Sequence, residues 1–216
     1  KFWTNGAERQ EEFWRRIERA MVQRKLEATV ATEGRLISEG PACRMVVLNP
    51  QPRPESSISA KSESLNNLSV VTELVCREQR VLFTGDIERE ALTRLTHSGN
   101  SAHIALLKVP HHGAKSSLER RWLETIRPAV GVVSAGRRNP YGHPAGEVLA
   151  AYQAVETQVW RTDRDGAIWA DLDLTRQELS MHSTREWILQ PALPSADIWS
   201  VEQDNLRRLW RRWNWM

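Results

Sequence analysis

Cysteine, tyrosine and phenylalanine are scarce in this chain of 216 residues, which has 2 Cys, 2 Tyr and 3 Phe. The cysteines, Cys43 and Cys76, are too few and too far apart for a zinc-finger motif, which needs closely spaced pairs of ligands. They could form one disulfide bridge, but we expect both to be small apolar residues of the core, where free cysteine is common. Two cysteines do not decide whether the protein works in an oxidising or a reducing compartment.

Long apolar runs and a strong excess of one charge are also absent. No stretch approaches the ~18 consecutive apolar residues of a membrane span, so the sequence contains no candidate span. The net charge is only +3, which gives no argument for nucleic-acid binding by the whole chain. The positive charge is local, because residues 206–216 contain four Arg, three Trp and no acid. We interpret this basic tail as a helix that docks on its own domain or at a membrane interface, with DNA binding as the alternative.

Short apolar runs alternate with amphipathic stretches along most of the chain. The periodicity predicts helices over residues 7–25, 87–96, 118–126 and 147–155. It predicts strands over residues 28–31, 43–48, 68–76, 80–84, 103–109, 129–134, 158–162 and 167–172. Three prolines and a serine-rich run predict an exposed loop over 50–64. The alternation after residue 81 predicts an α/β layered domain over 1–175, followed by a linker and the basic tail over 176–216.

Acidic and imidazole side chains stand where three of the predicted strands end. Asp86 follows Val-Leu-Phe-Thr-Gly, His111 and His112 follow Leu-Lys-Val-Pro, and His143 lies in the loop after strand 129–134. Such residues could converge on one rim, and Asp and His are ligands of divalent metals, so the pattern predicts metal-assisted hydrolysis. Taken singly, Asp86 is better explained as a helix N-cap, and His111 or His112 as a solvated loop residue.

Residues that can bind phosphate lie in the same loops. Lys115 and Ser116 open a predicted helix, whose free N–H groups can hold a phosphate oxygen, although a capped helix with exposed polar residues explains them too. Arg137 and Arg138 share the loop of His143 and can pair with phosphates. Adjacent histidines point in roughly opposite directions from an extended backbone, so one can face a metal while the other donates a proton.

Four motifs resemble those of one protein family in their order and spacing. They are Val-Leu-Phe-Thr-Gly-Asp-Ile (81–87), Leu-Lys-Val-Pro-His-His-Gly-Ala-Lys-Ser-Ser (107–117), Asn-Pro-Tyr-Gly-His-Pro (139–144) and Arg-Thr-Asp-Arg-Asp-Gly-Ala-Ile (161–168). Together they resemble the metallo-β-lactamase-like domain at the C-terminus of ComEC-type DNA-uptake (competence) channel proteins. Residues 66–71 also resemble that family's Asn-rich entry to the strand before the Gly-Asp motif.

The resemblance implies a fold, a cofactor and a set of site residues. The fold is a metallo-β-lactamase-like αββα sandwich, with a divalent metal (Zn or Mn) at the rim between two sheets, as a two-metal site in the intact protein. The implied metal ligands are Asp86, His111 and His143, with His111 toward the metal and His112 toward the substrate. Catalytic roles are implied for His112, Lys115 and Asn67, with Asn66 or Asn67 expected to orient other polar groups. Substrate or phosphate binding is implied for Ser116, Arg137, Arg138 and Tyr141.

The principal metal motif of this fold, His-x-His-x-Asp-His, does not occur in the sequence. The resemblance places that motif upstream of a position such as Lys1, after the membrane-embedded channel. We therefore expect an incomplete sandwich, the C-terminal portion of a larger protein, with an apolar sheet face left uncovered; a truncated gene product is the alternative. We expect the remaining ligands to form an open, weak site and the fragment alone to be inactive.

Three hypotheses for the function follow. The first is a metal-dependent phosphodiesterase, a nuclease that acts on one DNA strand during uptake. It would be a soluble domain of a bacterial inner-membrane protein, with single-stranded DNA and its own upstream channel region as partners, and no separate protein partner. The second is a non-catalytic module that guides single-stranded DNA through Arg137, Arg138 and the basic tail. The third is a stand-alone metallo-hydrolase of a small substrate.

Overall fold

The computed structural model describes residues 2–6, 12–52, 64–97 and 103–185. The strands are β1 (Phe2–Thr4), β2 (Ala28–Val30), β3 (Leu36–Glu39), β4 (Cys43–Asn49), β5 (Val71–Cys76), β6 (Gln79–Phe83), β7 (Leu106–Lys108), β8 (Val130–Val133), β9 (Gln158–Arg161), β10 (Ile168–Asp173) and β11 (Glu178–Ser183). The helices are α1 (Glu12–Gln23), α2 (Arg89–His97), α3 (Arg120–Ile126), α4 (Gly146–Ala154) and α5 (Thr162–Asp165). None of these helices is long and apolar enough to span a membrane. The predicted helix start at residue 7, the loop centre at 53–63 and the basic tail lie outside the described residues.

A seven-stranded mixed sheet organises the chain, with strand order β3-β4-β5-β6-β7-β8-β9. Strands β3 to β6 are antiparallel to their neighbours, and β6 to β9 are parallel. The parallel strands are connected through α2, α3 and α4, because a parallel pair needs a crossover segment. The predicted α/β class is confirmed by this arrangement.

The hydrophobic core lies between the sheet and these three helices. Leu82 of β6 and Leu107 of β7 point into it and pack with buried residues of α2, α3 and α4, among them Leu92 and Trp122. Successive strand residues point to opposite faces, so Phe83 lies on the other side of the sheet, where it is 40% exposed. Val81, which lies on this same face of β6, is buried, so the uncovered apolar face of an incomplete sandwich stays a prediction.

The expectation that both cysteines are free core residues is wrong. Cys43 and Cys76 stand directly opposite each other in the β4–β5 ladder and form a disulfide bond. Directly paired side chains on antiparallel strands lie close enough for such a bond. The pairing depends on the strand register, which the spacing of the cysteines in the sequence does not reveal.

The last two strands, β10 and β11, form an antiparallel hairpin, of which the sequence predicted only β10. β11 lies beyond the predicted boundary at residue 175, yet it pairs with β10 along its whole length. The hairpin is tied to the main sheet, because the side-chain amide of Gln79 in β6 donates a hydrogen bond of 2.8 Å to the carbonyl of Gln177. The folded part of the chain therefore continues to the end of the described residues.

Candidate active site at the carboxyl edge of the parallel strands

Three loops meet at one edge of the sheet because β6, β7 and β8 are parallel neighbours. Asp86 follows β6, His111 and His112 follow β7, and His143 lies in the loop after β8. In open α/β sheets, binding residues collect outside the carboxyl ends of such strands. The topology therefore gathers the predicted rim residues on one edge.

Asp86 is positioned by a tight strand exit. Gly85 has φ +57, and a Cβ at this residue would lie 2.8 Å from Cβ of Ser69, so only glycine allows this approach. The Ser69 hydroxyl in turn accepts a hydrogen bond of 3.0 Å from the backbone N–H of Asp86. Helix α2 begins only at Arg89, so Asp86 precedes the cap position, which argues against the N-cap interpretation.

The Asp86 carboxylate faces two basic groups. Its Oδ1 lies 3.6 Å from Nε2 of His112 and 3.8 Å from Nζ of Lys108. The ammonium group also donates a hydrogen bond of 3.1 Å to the carbonyl of Gly85. Burial lowers the pKa of Lys108, and the charge of Asp86 opposes this shift. Lys108 was missed by the sequence reasoning, although a charged residue inside the apolar run 106–109 was a signal for it.

The two adjacent histidines do not have the extended backbone that was expected. His111 and His112 both have positive φ, at 46° and 57°, and their ring centroids are 6.2 Å apart. Nδ1 of His112 lies 2.6 Å from the carbonyl oxygen of Ser134. Because a carbonyl only accepts, this contact assigns the proton to Nδ1 and leaves Nε2 of neutral His112 free beside Asp86. The structure thus pairs Asp86 with His112; the assignment of His111 to the metal and of His112 to the substrate stays a prediction.

Gly113 completes this left-handed run, and a substitution there should destabilise the histidine loop. Its φ is +78, and an added Cβ would lie 2.6 Å from Cβ of Pro144. We expect Gly113→Ala to lower the free energy of unfolding by about 1–3 kcal/mol, from backbone strain and the clash together. Chemical denaturation measures this loss. Gly142→Ala is the control, because Gly142 also has positive φ but has no atom within 4 Å of the added Cβ; an equal loss in both variants would contradict the role of the clash.

His143 is held by its own loop. The side-chain amide of Asn139 accepts a hydrogen bond from the backbone N–H of His143 and donates one to its carbonyl, at 2.9 and 2.8 Å. Burial lowers the pKa of His143, and the nearby histidines His111 and His112 lower it further. The ring stacks on Tyr141 with centroids 5.8 Å apart, and Tyr141 is 78% exposed.

The loop after β8 is anchored by the next strand of the sheet. The hydroxyl of Thr162, just after β9, accepts a hydrogen bond of 2.8 Å from the N–H of Ala135 and donates one of 2.9 Å to its carbonyl. The neighbouring Arg161 forms a two-point ion pair with Asp163. These contacts fix the segment that carries the Ser134 carbonyl, and with it the ring of His112.

Of the residues predicted to bind phosphate or to act in catalysis, Lys115 and Ser116 are paired with acidic side chains, whereas Arg137 and Arg138 are exposed. Lys115 begins only a single 3-10 turn, Lys115–Ser117, and α3 starts later at Arg120, so the predicted helix N-terminus does not form there. Its Nζ lies 3.1 Å from the Glu147 carboxylate, and Ser116 donates a hydrogen bond of 3.0 Å to Glu88. Arg137 and Arg138 are exposed in the loop of His143.

Asn67 supports the start of α2 and is not exposed at the site. It is fully buried. Its side-chain oxygen accepts a hydrogen bond of 2.9 Å from the N–H of Glu88, and its NH2 group donates one of 2.8 Å to Glu90. Both ends of the amide are therefore engaged at the start of α2, and direct contact with a substrate would require breaking these bonds.

Two donor atoms at this edge of the sheet suit a divalent metal. Asp86 Oδ1 and His112 Nε2 form a suitable pair of ligand atoms at 3.6 Å. Among the residues that the structure describes, however, no group of three His, Cys, Asp or Glu side chains is arranged to hold an ion. Protein metal sites normally need three or four such ligands. The described residues therefore do not by themselves form a complete metal site.

These observations define an α/β domain with a carboxylate, three histidines and a lysine at the carboxyl edge of its parallel strands. The chain is 33% identical to ComE operon protein 3 of Bacillus subtilis over 105 residues, 49% of this chain and 14% of that protein. It is 30% identical to Recombination protein 2 of Haemophilus influenzae over 105 residues, 49% of this chain and 13% of that protein. The resemblance to ComEC-type proteins is confirmed, although the match spans a small part of each relative.

Two further comparisons add little to this similarity. No family model matches the chain. A solved structure described as a metal-dependent hydrolase from Parabacteroides distasonis is 14% identical and has a TM-score of 0.40, covering 64% of this chain and 60% of that one. A likeness this distant carries no argument about function.

Proposed function

We propose that this chain is part of a DNA-uptake protein and that its site hydrolyses phosphodiester bonds in one DNA strand. The observation that carries the proposal is the Asp86–His112 pair, with Lys108 beside it, at the carboxyl edge of the parallel strands. The sequence similarity to ComE operon protein 3 supports the DNA-uptake part of the proposal. The upstream channel region of the same protein, and a location at the membrane, are parts of this proposal.

The side chains of the site suit general acid–base chemistry on a phosphodiester. His112 can accept a proton at Nε2 from an attacking water, or return one to the leaving oxygen, while Asp86 faces the resulting imidazolium. Lys108 and the exposed pair Arg137 and Arg138 supply positive charge for the phosphate. A divalent ion, Zn or Mn, would add electrostatic stabilisation of the reacting phosphate. Asp86 would supply one ligand to such an ion and further ligands would come from outside the described residues, so that Nε2 of His112 stays free for the proton.

DNA cleavage by the full-length protein tests this proposal. We expect labelled single-stranded DNA to be cut when Mn²⁺ or Zn²⁺ is added, and cutting to stop when a chelator removes the metal, because the proposed reaction depends on the ion. The products are resolved by gel electrophoresis. Metal-independent cutting at the same rate, or none with any divalent metal, would contradict it.

A DNA-guiding module without catalysis is the second candidate. It is favoured by the lack of a third arranged donor among the described residues and by the exposure of Arg137 and Arg138. Phosphate contacts of this kind weaken steeply as the salt concentration rises. Full-strength, salt-sensitive binding of single strands in the presence of a chelator, with no cleavage after metal is restored, would favour this candidate over the hydrolase.

A further inference from the structure

The ring of His111 lies between a carboxylate and the two other imidazoles of the site. Its Nδ1 is 3.4 Å from Oε1 of Glu88, and its centroid is 6.2 Å from that of His112 and 6.0 Å from that of His143. The contact with Glu88 has the separation of an ion pair but not the alignment of a hydrogen bond, and the buried Nδ1 has no other hydrogen-bond partner. Because a buried polar nitrogen without a partner is destabilising, a small rotation toward the carboxylate is favoured.

The Glu88 carboxylate is held in place without help from His111. Its Oε1 accepts a hydrogen bond of 3.0 Å from the Ser116 hydroxyl and one of 3.5 Å from the side-chain amide of Asn66. Its backbone N–H donates to Asn67. Two segments that are far apart in the sequence, 66–67 and 116, therefore fix one acid against one histidine. The hydrogen bond to Glu88 gives Ser116 a role in holding this carboxylate, besides the phosphate binding predicted from the sequence.

We propose that Glu88 is a positioning residue, which accepts the Nδ1–H of His111 and keeps Nε2 as the ring nitrogen that can take a proton or bind a cation. An ionised carboxylate only accepts hydrogen bonds, so its contact with Nδ1 selects the tautomer protonated there. His112 is arranged in the same way, with the Ser134 carbonyl in place of the carboxylate. Both histidines would then present Nε2 to the site. The inference deepens the proposed function, but the tautomer itself does not depend on catalysis.

The tautomer of His111 can be read directly by long-range ¹H–¹⁵N NMR on the full chain with ¹⁵N-labelled histidine. At a pH where the ring is neutral, we expect wild-type His111 to show a protonated Nδ1 and an unprotonated Nε2. In Glu88→Gln the side-chain amide can also donate, so we expect this single pattern to be lost and both tautomers to be populated. Glu90→Gln is the matched control: it makes the same charge change two residues further on, where the acid is bonded by Asn67. A His111→Gln variant assigns the signals.

The wild-type spectrum alone can overturn the proposal, whether or not the variants fold. Neutral His111 protonated on Nε2, or an unchanged pattern in Glu88→Gln, would contradict the positioning role. We further expect the full-length Glu88→Gln variant to cut DNA about 10- to 100-fold more slowly than the wild type. This is the usual cost of losing a group that orients a functional histidine. The predicted tautomer in a protein that never cuts DNA would support the role of Glu88 and count against the hydrolase, so the two failures are distinguishable.

Discussion

Replacing Asp86 with Asn should reduce DNA cleavage by the full-length protein roughly a thousandfold, within the range that general acid–base catalysis contributes, because His112 loses the carboxylate that stabilises its protonated form. The change keeps the shape of the side chain but removes the charge that faces Nε2 of His112 and Nζ of Lys108. It leaves His112 without a counter-ion when protonated, and it removes the strongest candidate ligand for a cation. Initial rates of cleavage of a labelled single strand measure the effect.

The fold should survive this substitution, and that separates a catalytic loss from unfolding. The backbone N–H of Asp86, which bonds to Ser69, is retained, so the thermal unfolding temperature should stay close to that of the wild type. Asp173→Asn is the matched control, because it makes the same charge change in the turn region of the β10–β11 hairpin, where Asp173 is exposed. Wild-type rates in Asp86→Asn would end the hydrolase proposal. Equal losses in both variants would point to a general charge effect.

The gathering of Asp86, His112 and His143 on one edge was predictable from the sequence. Each residue follows a short apolar run, and each run is separated from the next by an amphipathic stretch, so the pattern required parallel strands with crossover helices. The carboxyl ends of such strands share an edge whatever the details of the loops. A one-dimensional pattern was therefore sufficient to place the residues, although not to orient them.

The orientation of the histidines was not predictable, because it depends on contacts distant in the sequence. The Ser134 carbonyl sets the ring of His112, Nδ1 of His111 lies 3.4 Å from a carboxylate oxygen of Glu88, and the backbone of both histidines is left-handed rather than extended. The predicted helix start at Lys115 did not form for a local reason. Leu118 takes an extended conformation, which separates the 3-10 turn from α3. Patterns of apolar residues report burial but not such backbone details.

The disulfide bond has the largest expected effect on stability. Cys43 and Cys76 are 33 residues apart in the sequence, and a cross-link that closes a loop of this length restricts the unfolded chain enough to contribute about 4 kcal/mol. We therefore expect the double substitution Cys43→Ala and Cys76→Ala to lower the free energy of unfolding by up to this amount. Denaturant unfolding with and without a thiol reductant measures it.

This prediction also concerns the site, because β4 and β5 support the segment that holds Asp86. The side-chain amide of Asn49, at the end of β4, donates hydrogen bonds to the carbonyls of Asn67 and Ser69. A reductant should weaken the wild-type protein and leave the double alanine variant unchanged, and thiol titration without reductant should find no free cysteine. A reductant that fails to shift wild-type unfolding would show that the bond restricts the unfolded chain less than its loop length implies. Free thiols in the folded protein would contradict the bond itself.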